Sequence, residues 1–346
     1  MTAHIHAIGT AVPRSDVHEL FVEWANERLD ERGRPLFRRM VTRSGIENRW
    51  SVLDKPTASG GFYGERMPGT ADRMTAYARE APELALAAID DLAARAPLDG
   101  ITHLVVASCT GFVAPGIDQI IARRLGLDGS VERTLVGFMG CYAAVAALRV
   151  AHHIARSDSQ ARILVVTVEL CSLHLQDTRE IEALLAMLQF ADGAAAALVS
   201  AEPKGIAIDR FFAATLRDSD RLIRWDIGDQ GFVMHLSGEV PLRIQAALEE
   251  PGFRGKLLGN RAPDQVGAWA VHAGGRSILD AVEHGLHIGT DALAASRDVL
   301  RRYGNMSSST LMFVLAALMS GPAIEDGIAI AFGPGLAAEG FAIGSV

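Results

Sequence analysis

Two stretches of this chain are built to one plan. Gly140-Cys141-Tyr142-Ala143-Ala144-Val145 opens an apolar, alanine-rich helix that continues to Ile154, and Gly304-Asn305-Met306-Ser307-Ser308-Ser309 opens a second that runs to about Met319. Each is followed by a strand-like run, Arg162 to Val168 in one case and Gly327 to Phe332 in the other. The offsets agree, with Ile163 lying 22 positions beyond Cys141 and Ile328 lying 23 beyond Asn305. Self-similarity of this kind marks a duplicated supersecondary unit. The chain is therefore expected to fold as two α/β halves, 1–203 and 204–346, with Cys141 and Asn305 at equivalent helix starts.

The first stretch alone leaves its cysteine undecided. Unpaired backbone N–H groups and a partial positive charge at a helix start favour a thiolate over a thiol. A buried structural cysteine fits the same residues, because free Cys is among the most buried residue types. The second stretch tips the balance, since it sets another polar residue, Asn305, at the matching place.

At 346 residues, 49% hydrophobic and 21% charged, the chain is long and apolar enough for two fused cores. Its formal charge of −8 argues against general affinity for nucleic acid. Cys109, Cys141 and Cys171 are odd in number and about thirty residues apart, which is neither a disulfide framework nor a zinc pattern. The pair His284 and His287 reads as a surface face, so no metal is expected. The N-terminus lacks a basic segment followed by an apolar one, and no apolar run reaches the roughly 20 residues needed to span a bilayer. A soluble cytoplasmic protein is expected.

In chain order, Ile5 to Ala11 reads as a strand, Val17 to Leu29 as a helix and Lys55 to Gly69 as a loop; Thr70 caps a helix that runs, interrupted near Pro82, to Ala96. Ile101 to Ser108 is a buried strand, and alternation of strand and helix continues through Ile163 to Leu170, which predicts a mostly parallel, helix-covered sheet. Such sheets carry their sites at the carboxyl ends of strands. That rule singles out His272, which ends the strand Val266 to Val271 and precedes Ala273-Gly274-Gly275. A Cys, a His and an Asn at element termini suit acyl transfer. One segment departs from the acidic average: arginines 28, 32, 34, 38, 39, 43 and 49 stand against Asp30, Glu31 and Glu47. Arg39 and Arg43 lie one turn apart on one face, and their forks suit the phosphates of an anionic carrier such as coenzyme A, although a solvated face accounts for them equally simply.

With these residues in view the chain resembles a known family. Gly140-Cys141, Val271-His272-Ala273-Gly274-Gly275, Tyr303-Gly304-Asn305-Met306-Ser307-Ser308 and Phe332-Gly333-Pro334-Gly335 are similar to segments of the type III polyketide synthases, the chalcone synthase-like enzymes. Ile8-Gly9-Thr10-Ala11-Val12-Pro13 and Phe190-Ala191-Asp192-Gly193 extend the match, in order, over nearly the whole chain; Ala331 stands where that family usually has glycine. The resemblance implies a thiolase-type duplicated α/β fold of five layers, αβαβα, in a homodimer. It implies Cys141 as the acylated nucleophile, His272 and Asn305 as the pair that binds the thioester oxygen, and Phe190 as a gatekeeper toward a coenzyme A tunnel. Met234 takes the place of a second gatekeeper phenylalanine, Trp225 that of a cavity-lining glycine, and Ala114 stands near a methionine that reaches across the dimer. Cys171 and Ser307 join them as substrate contacts. Arg39 and Arg43 fall at basic coenzyme A contacts, with Leu36 in place of a third.

The chemistry so implied starts from a Cys141 thiolate, stabilised by protonated His272, that takes an acyl group from an acyl-CoA. Malonyl-CoA then loses carbon dioxide, His272 and Asn305 hold the enolate oxygen, and repeated condensation ends in cyclisation, with no metal or redox cofactor. An initiating ketoacyl synthase-like enzyme and a cysteine-dependent acyl hydrolase share the residue types. A degradative thiolase needs a second cysteine near Gly333, and the last here is Cys171. An indole at position 225 fills volume that a bulky aromatic starter would use, so aliphatic starters and pyrone or resorcinol products are expected.

Overall fold

A computed structural model describes residues 2–259 and 261–346. Its strands are β1 (Ala3–Ala11), β2 (Ser15–Asp16), β3 (Trp50–Ser51), β4 (His103–Ser108), β5 (Glu132–Gly137), β6 (Arg162–Leu170), β7 (Asp192–Ser200), β8 (Ile206–Thr215), β9 (Ile223–Gly228), β10 (Gly231–Leu236), β11 (Ala268–Val271), β12 (Gly327–Gly333) and β13 (Ala337–Ser345). Nine of these pair in the order β11-β12-β13-β8-β1-β7-β6-β4-β5. From its middle the order reads the same way twice. β1 pairs antiparallel with β7, β7 antiparallel with β6 and β6 parallel with β4; β8, β13, β12 and β11 repeat that sequence of directions. The two half-sheets meet where β1 and β8 pair over three residues, Ala3 to Ile5 against Ile206 to Ile208.

The sheet is mixed, not mostly parallel as the alternation of elements suggested. Five of its eight pairings are antiparallel. Alternation of strand and helix identifies layers, but β7 and β13 each return beside the preceding strand, and that return is not visible in periodicity. A second expectation also gives way. The helix Thr70–Ala93 runs unbroken through Pro82, with Gly69 and not Thr70 as its cap. Proline inside a helix costs about 3 kcal/mol, and here Ala81, Pro82, Leu84 and Ala85 are all buried against the sheet, which offsets that cost.

Side chains of the central strands alternate between two cores. In β4, Val105 and Ala107 face the central helices while Leu104 and Val106 face the helix Thr70–Ala93. In β12, Ala329 and Ala331 face inward while Ile328 and Ile330 join Trp269 and Val271 under the helices Val240–Glu249 and Arg276–Leu286. The helices Ala143–Ser157 and Ser308–Met319 lie between, and each touches strands of both half-sheets. This position explains their composition: Ala143 to Leu148 and Ser308 to Leu315 are buried without a break, and a helix apolar all round is a buried one. Helices, half-sheet, paired helices, half-sheet and helices make five layers. No described helix is long and apolar enough to cross a membrane.

Candidate active site

Cys141 stands where the chain leaves β5 and turns into the central layer. Phe138 and Gly140 take positive φ values of 56° and 74° to make that turn, Gly140 to Tyr142 form one 3-10 turn, and the helix Ala143–Ser157 follows. Glycine is required at both sides of the packing. A Cβ on Gly140 would fall 2.3 Å from Cδ of Pro334, and one on Gly333 would fall 2.7 Å from the Tyr142 ring. The turn between β12 and β13 therefore seats on the cysteine turn, which ties the two halves together at the thiol.

The second helix start is assembled from side chains. Ser307 holds φ at 47°, an unfavourable conformation for a residue with a Cβ and worth of order 1–3 kcal/mol. It is held there because its N–H donates to Asn305 Oδ1 at 2.9 Å while the Asn305 Nδ2 donates to the Gly274 carbonyl at 3.1 Å. Asn305 thus bolts its own turn to the His272-Gly274 loop, and one N–H of its amide stays free for a ligand. Its backbone pairs with the other half, donating to Gln189 O and accepting from Ala191 N at 2.7 and 2.9 Å, so Phe190 lies directly beside it. His272 is 1% exposed, and neither ring nitrogen has a partner among the described residues. Both nitrogens therefore keep their hydrogen-bonding capacity.

Burial dominates the electrostatics here. It pushes the Cys141 thiol up to about 12, with the Glu169 carboxylate pushing the same way and the Ser307 hydroxyl opposing. It pushes His272 down to about 3. Burial therefore favours the neutral thiol and the neutral imidazole. Desolvation thus opposes the stabilisation of a thiolate expected from the helix start.

Sequence reasoning missed the carboxylate at the centre of this arrangement. Glu169, in β6, is fully buried and accepts from the Cys109 N–H and the Thr110 hydroxyl at 2.9 Å and from the Ser308 hydroxyl. Burial raises it to about 7. It connects the end of β4 to the second helix start, and Ser309 adds bonds to Thr167 and to the Gly193 carbonyl.

The thiol opens into a chamber of about 20 Å³ lined by Cys141, Cys171, Phe190, Trp225, Met234 and Ser307 among others. That volume holds about one water molecule. Cys171, Phe190, Trp225 and Met234 also line a cavity of about 290 Å³ that extends past His174, Tyr63 and Met187 to Val17 and Phe21. Trp225 and Met234 face it together because they are opposite each other in the β9/β10 hairpin, and opposite residues share a face. His174 pins the hairpin. Its Nε2 bonds the Thr110 carbonyl at 2.8 Å, its Nδ1 accepts from the Phe232 N–H at 3.0 Å, and its ring stacks on Phe232 at 4.2 Å.

The predicted phosphate contacts lie outside. Arg39 and Arg43 are exposed on the helix Gly33–Ser44. Arg43 lines a surface cleft of about 160 Å³ with Arg276, Ser277 and Gln189, whereas Arg39 borders none of the cavities described here. Leu36 is 40% exposed, and Ala114 is exposed away from both chambers.

Known proteins share this plan. Residues 1–203 match the family model for the N-terminal domain of chalcone and stilbene synthases, and residues 211–346 match that for their C-terminal domain. The alpha-pyrone synthesis polyketide synthase-like Pks18 of Mycobacterium tuberculosis is 33% identical over 98% of this chain and 90% of its own length. The C-terminal type III polyketide synthase domain of Steely1, a type I/III hybrid from Dictyostelium, superposes with a TM-score of 0.91 at 28% identity over the whole of both chains. PKS-I from the brown alga Ectocarpus siliculosus superposes at 0.89 with 30% identity, over 100% of this chain and 98% of its own.

Proposed function

Because the chain belongs to the chalcone and stilbene synthase family of type III polyketide synthases, we propose that it condenses malonyl-CoA onto an aliphatic acyl group held on Cys141 and releases a pyrone or resorcinol. The activity follows from the family; the starter class rests on the cavity. A chamber of about 20 Å³ beside the thiol has no room for a coumaroyl ring, while the adjoining 290 Å³ is walled mainly by apolar side chains.

The steps use the residues of the candidate site. As the Cys141 sulfur attacks the starter thioester, neutral His272 accepts the thiol proton and coenzyme A leaves. Malonyl-CoA then loses carbon dioxide, and the electron pair of the broken bond becomes the enolate. Its oxygen is held by the free Asn305 N–H and the His272 ring, both pre-oriented and shielded from water. The enolate carbon attacks the acyl-Cys141 carbonyl, the thiolate departs, and the lengthened chain returns to Cys141 for the next round. Attack of an enol oxygen or a carbon of the chain on its own carbonyl closes the ring. Decarboxylation supplies the electrons of the new bond, so the scheme calls for no metal or redox cofactor.

Arg43, with Arg276 across the cleft and Arg39 one turn away, is assigned to the phosphates of coenzyme A. A homodimer fits the exposed apolar Phe112 and Leu135 at the β5 edge, next to Ala114. A cytoplasmic setting suits three unpaired cysteines. Incubation with malonyl-CoA and short, long and aromatic acyl-CoA starters, with products identified by mass, tests the reading. Condensation on aliphatic starters is expected. Efficient chalcone formation overturns the starter class, and no condensation product from any starter overturns the assignment.

A further inference from the structure

The helix Gly33–Ser44 carries a charge that the chain itself does not answer. From Arg32 to Ser44 there are five arginines, 32, 34, 38, 39 and 43, and no acid, in a chain whose formal charge is −8. All five are exposed, and among the described residues none forms an ion pair with a carboxylate. Arg34 and Arg38 donate their Nε groups to neutral acceptors, the carbonyl and the side-chain Oδ1 of Asn26, at 3.1 and 3.2 Å. Asp30, before the helix, accepts from the Gly33 N–H at 2.7 Å, and Glu47, after it, pairs with Arg301. The arrangement works against the helix. Its first turn has no acid, so Arg32 and Arg34 meet the partial positive charge of the helix start unrelieved. Arg34 with Arg38, and Arg39 with Arg43, are like charges four residues apart, which repel. A surface that keeps such a cluster, with Leu36 exposed among its cations, has the composition of a protein interface, where arginine is enriched.

The position of the helix says what a partner would bring. Arg43, in its last turn, lines the surface cleft with Arg276 and Gln189, and Phe190, next along the chain, lines the chamber at Cys141. The other four arginines border none of the cavities. From Arg34 to Arg43 the helix rises about 14 Å and makes about two and a half turns. The two residues therefore stand on opposite flanks of its exposed half, with Phe37 buried beneath. A nucleotide held at Arg43 and Arg276 leaves Arg34 and Arg38 uncovered, whereas a broad acidic surface laid over the helix meets both flanks. We propose that this face docks an acidic carrier domain, a small protein bearing its acyl group on a phosphopantetheine arm, and that the arm enters the cleft between Arg43 and Arg276. Coenzyme A and such a carrier share the arm and differ in what holds it. In the transfer the Cys141 sulfur bonds to the acyl carbon, the bond from that carbon to the pantetheine sulfur breaks, and the thiol proton leaves on the pantetheine sulfur. The inference rests on the reading of this cleft as the way in for the arm, and it adds a second donor of the starter.

The test compares two donors of one starter: octanoyl-CoA, and octanoyl on the phosphopantetheine of an acidic bacterial acyl carrier protein, with loading of Cys141 read by intact mass. The carrier should load the unaltered protein. Reversing two charges, Arg34→Glu with Arg38→Glu, should lower the second-order rate of loading from the carrier by about tenfold or more and that from octanoyl-CoA by less than about twofold. Should this variant fail to fold, salt decides on the unaltered protein, because raised ionic strength should slow loading from the carrier severalfold more than loading from octanoyl-CoA. No loading from the carrier, or equal loss for both donors, overturns the proposal and leaves condensation from coenzyme A thioesters standing. If neither donor loads Cys141, the condensing assignment fails, and calorimetry with the unacylated carrier decides the face instead. Binding that the variant weakens about tenfold upholds it, and absent or unaltered binding removes it. Capture by vesicles of anionic phospholipid without binding of the carrier would assign the face to a membrane and overturn the proposal.

Discussion

Trp225 donates its indole N–H to the Cys109 carbonyl at 2.9 Å. The side chain that narrows the chamber is therefore also a hydrogen-bonded tie from the β9/β10 hairpin to the end of β4, braced edge-on by His174 and Phe232 at 5.3 and 5.8 Å. Trp225→Gly should merge the chamber with the larger cavity. Product masses should shift to longer chains or altered cyclisation, while starter loading on Cys141 stays within a few fold. Trp225→Phe keeps an aromatic ring but removes the N–H together with part of the indole, and should cost at least roughly 1–3 kcal/mol of stability, read from denaturant unfolding, because it leaves the Cys109 carbonyl unpaired. An unchanged product profile for the glycine variant would refute the role of the indole as a wall.

Cys141 and His272 are each pushed toward the neutral form, so the reactivity of the thiol depends on transfer of its proton. His272→Ala should slow alkylation of Cys141 by iodoacetamide at neutral pH by at least about 10²-fold. A raised thiol pKa means that the thiolate appears only as pH increases, so the variant's rate should climb about tenfold per pH unit toward about 12. Peptide mapping should show Cys141 labelled ahead of Cys109 and Cys171, for which burial also raises the thiol.

Asn305→Ala should suppress malonyl-CoA decarboxylation by roughly 10²–10³, the usual cost of one oxyanion donor. Starter loading should fall less, by the amount that freeing the Gly274 carbonyl misplaces His272. Single-turnover measurement of the two steps separates them, and equal loss would show Asn305 to be mainly a structural bolt.

Glu169 gives a pH signature. Its folded pKa of about 7 lies above the ordinary 4.5, so its stabilising contribution is complete below about pH 4.5 and is lost as pH rises through 7. Glu169→Gln keeps an acceptor for Cys109 and Thr110 and offers Ser308 a donor. The difference in unfolding free energy between parent and variant, read from denaturant unfolding, should therefore swing toward the variant between pH 4.5 and 7, by an amount of order 3 kcal/mol. A constant difference across that window would show that Glu169 does not titrate there.

The placement of Cys141, His272 and Asn305 at element ends was legible because the type of each element is plain from neighbouring residues. Glu169, Thr110 and Ser308 were not, because a carboxylate within Val166-Thr167-Val168-Glu169-Leu170 looks like an interruption of a strand until pairing brings its donors from residues 59 to 139 positions away. A lone acid in an otherwise apolar strand was the available signal. The run of arginines was plain as a charge excess, but only packing separates the buried Arg49 from the five exposed between Arg32 and Ser44. The hairpin carrying Trp225 and Met234 was found through resemblance alone; the structure pairs the two across the strands and turns both toward the cavities.

The paired central helices carry a consequence for synthesis on the ribosome. Once Ser157 has emerged, the helix Ala143–Ser157 has an apolar flank whose cover, Ser308–Met319, begins 151 residues later. At about 5–20 residues per second that cover arrives roughly 8 to 30 seconds later. The nascent N-terminal half is then a sticky, half-clad particle for far longer than a domain takes to collapse, and its yield in a cell should depend on chaperones that shield this flank and on the local pace of translation.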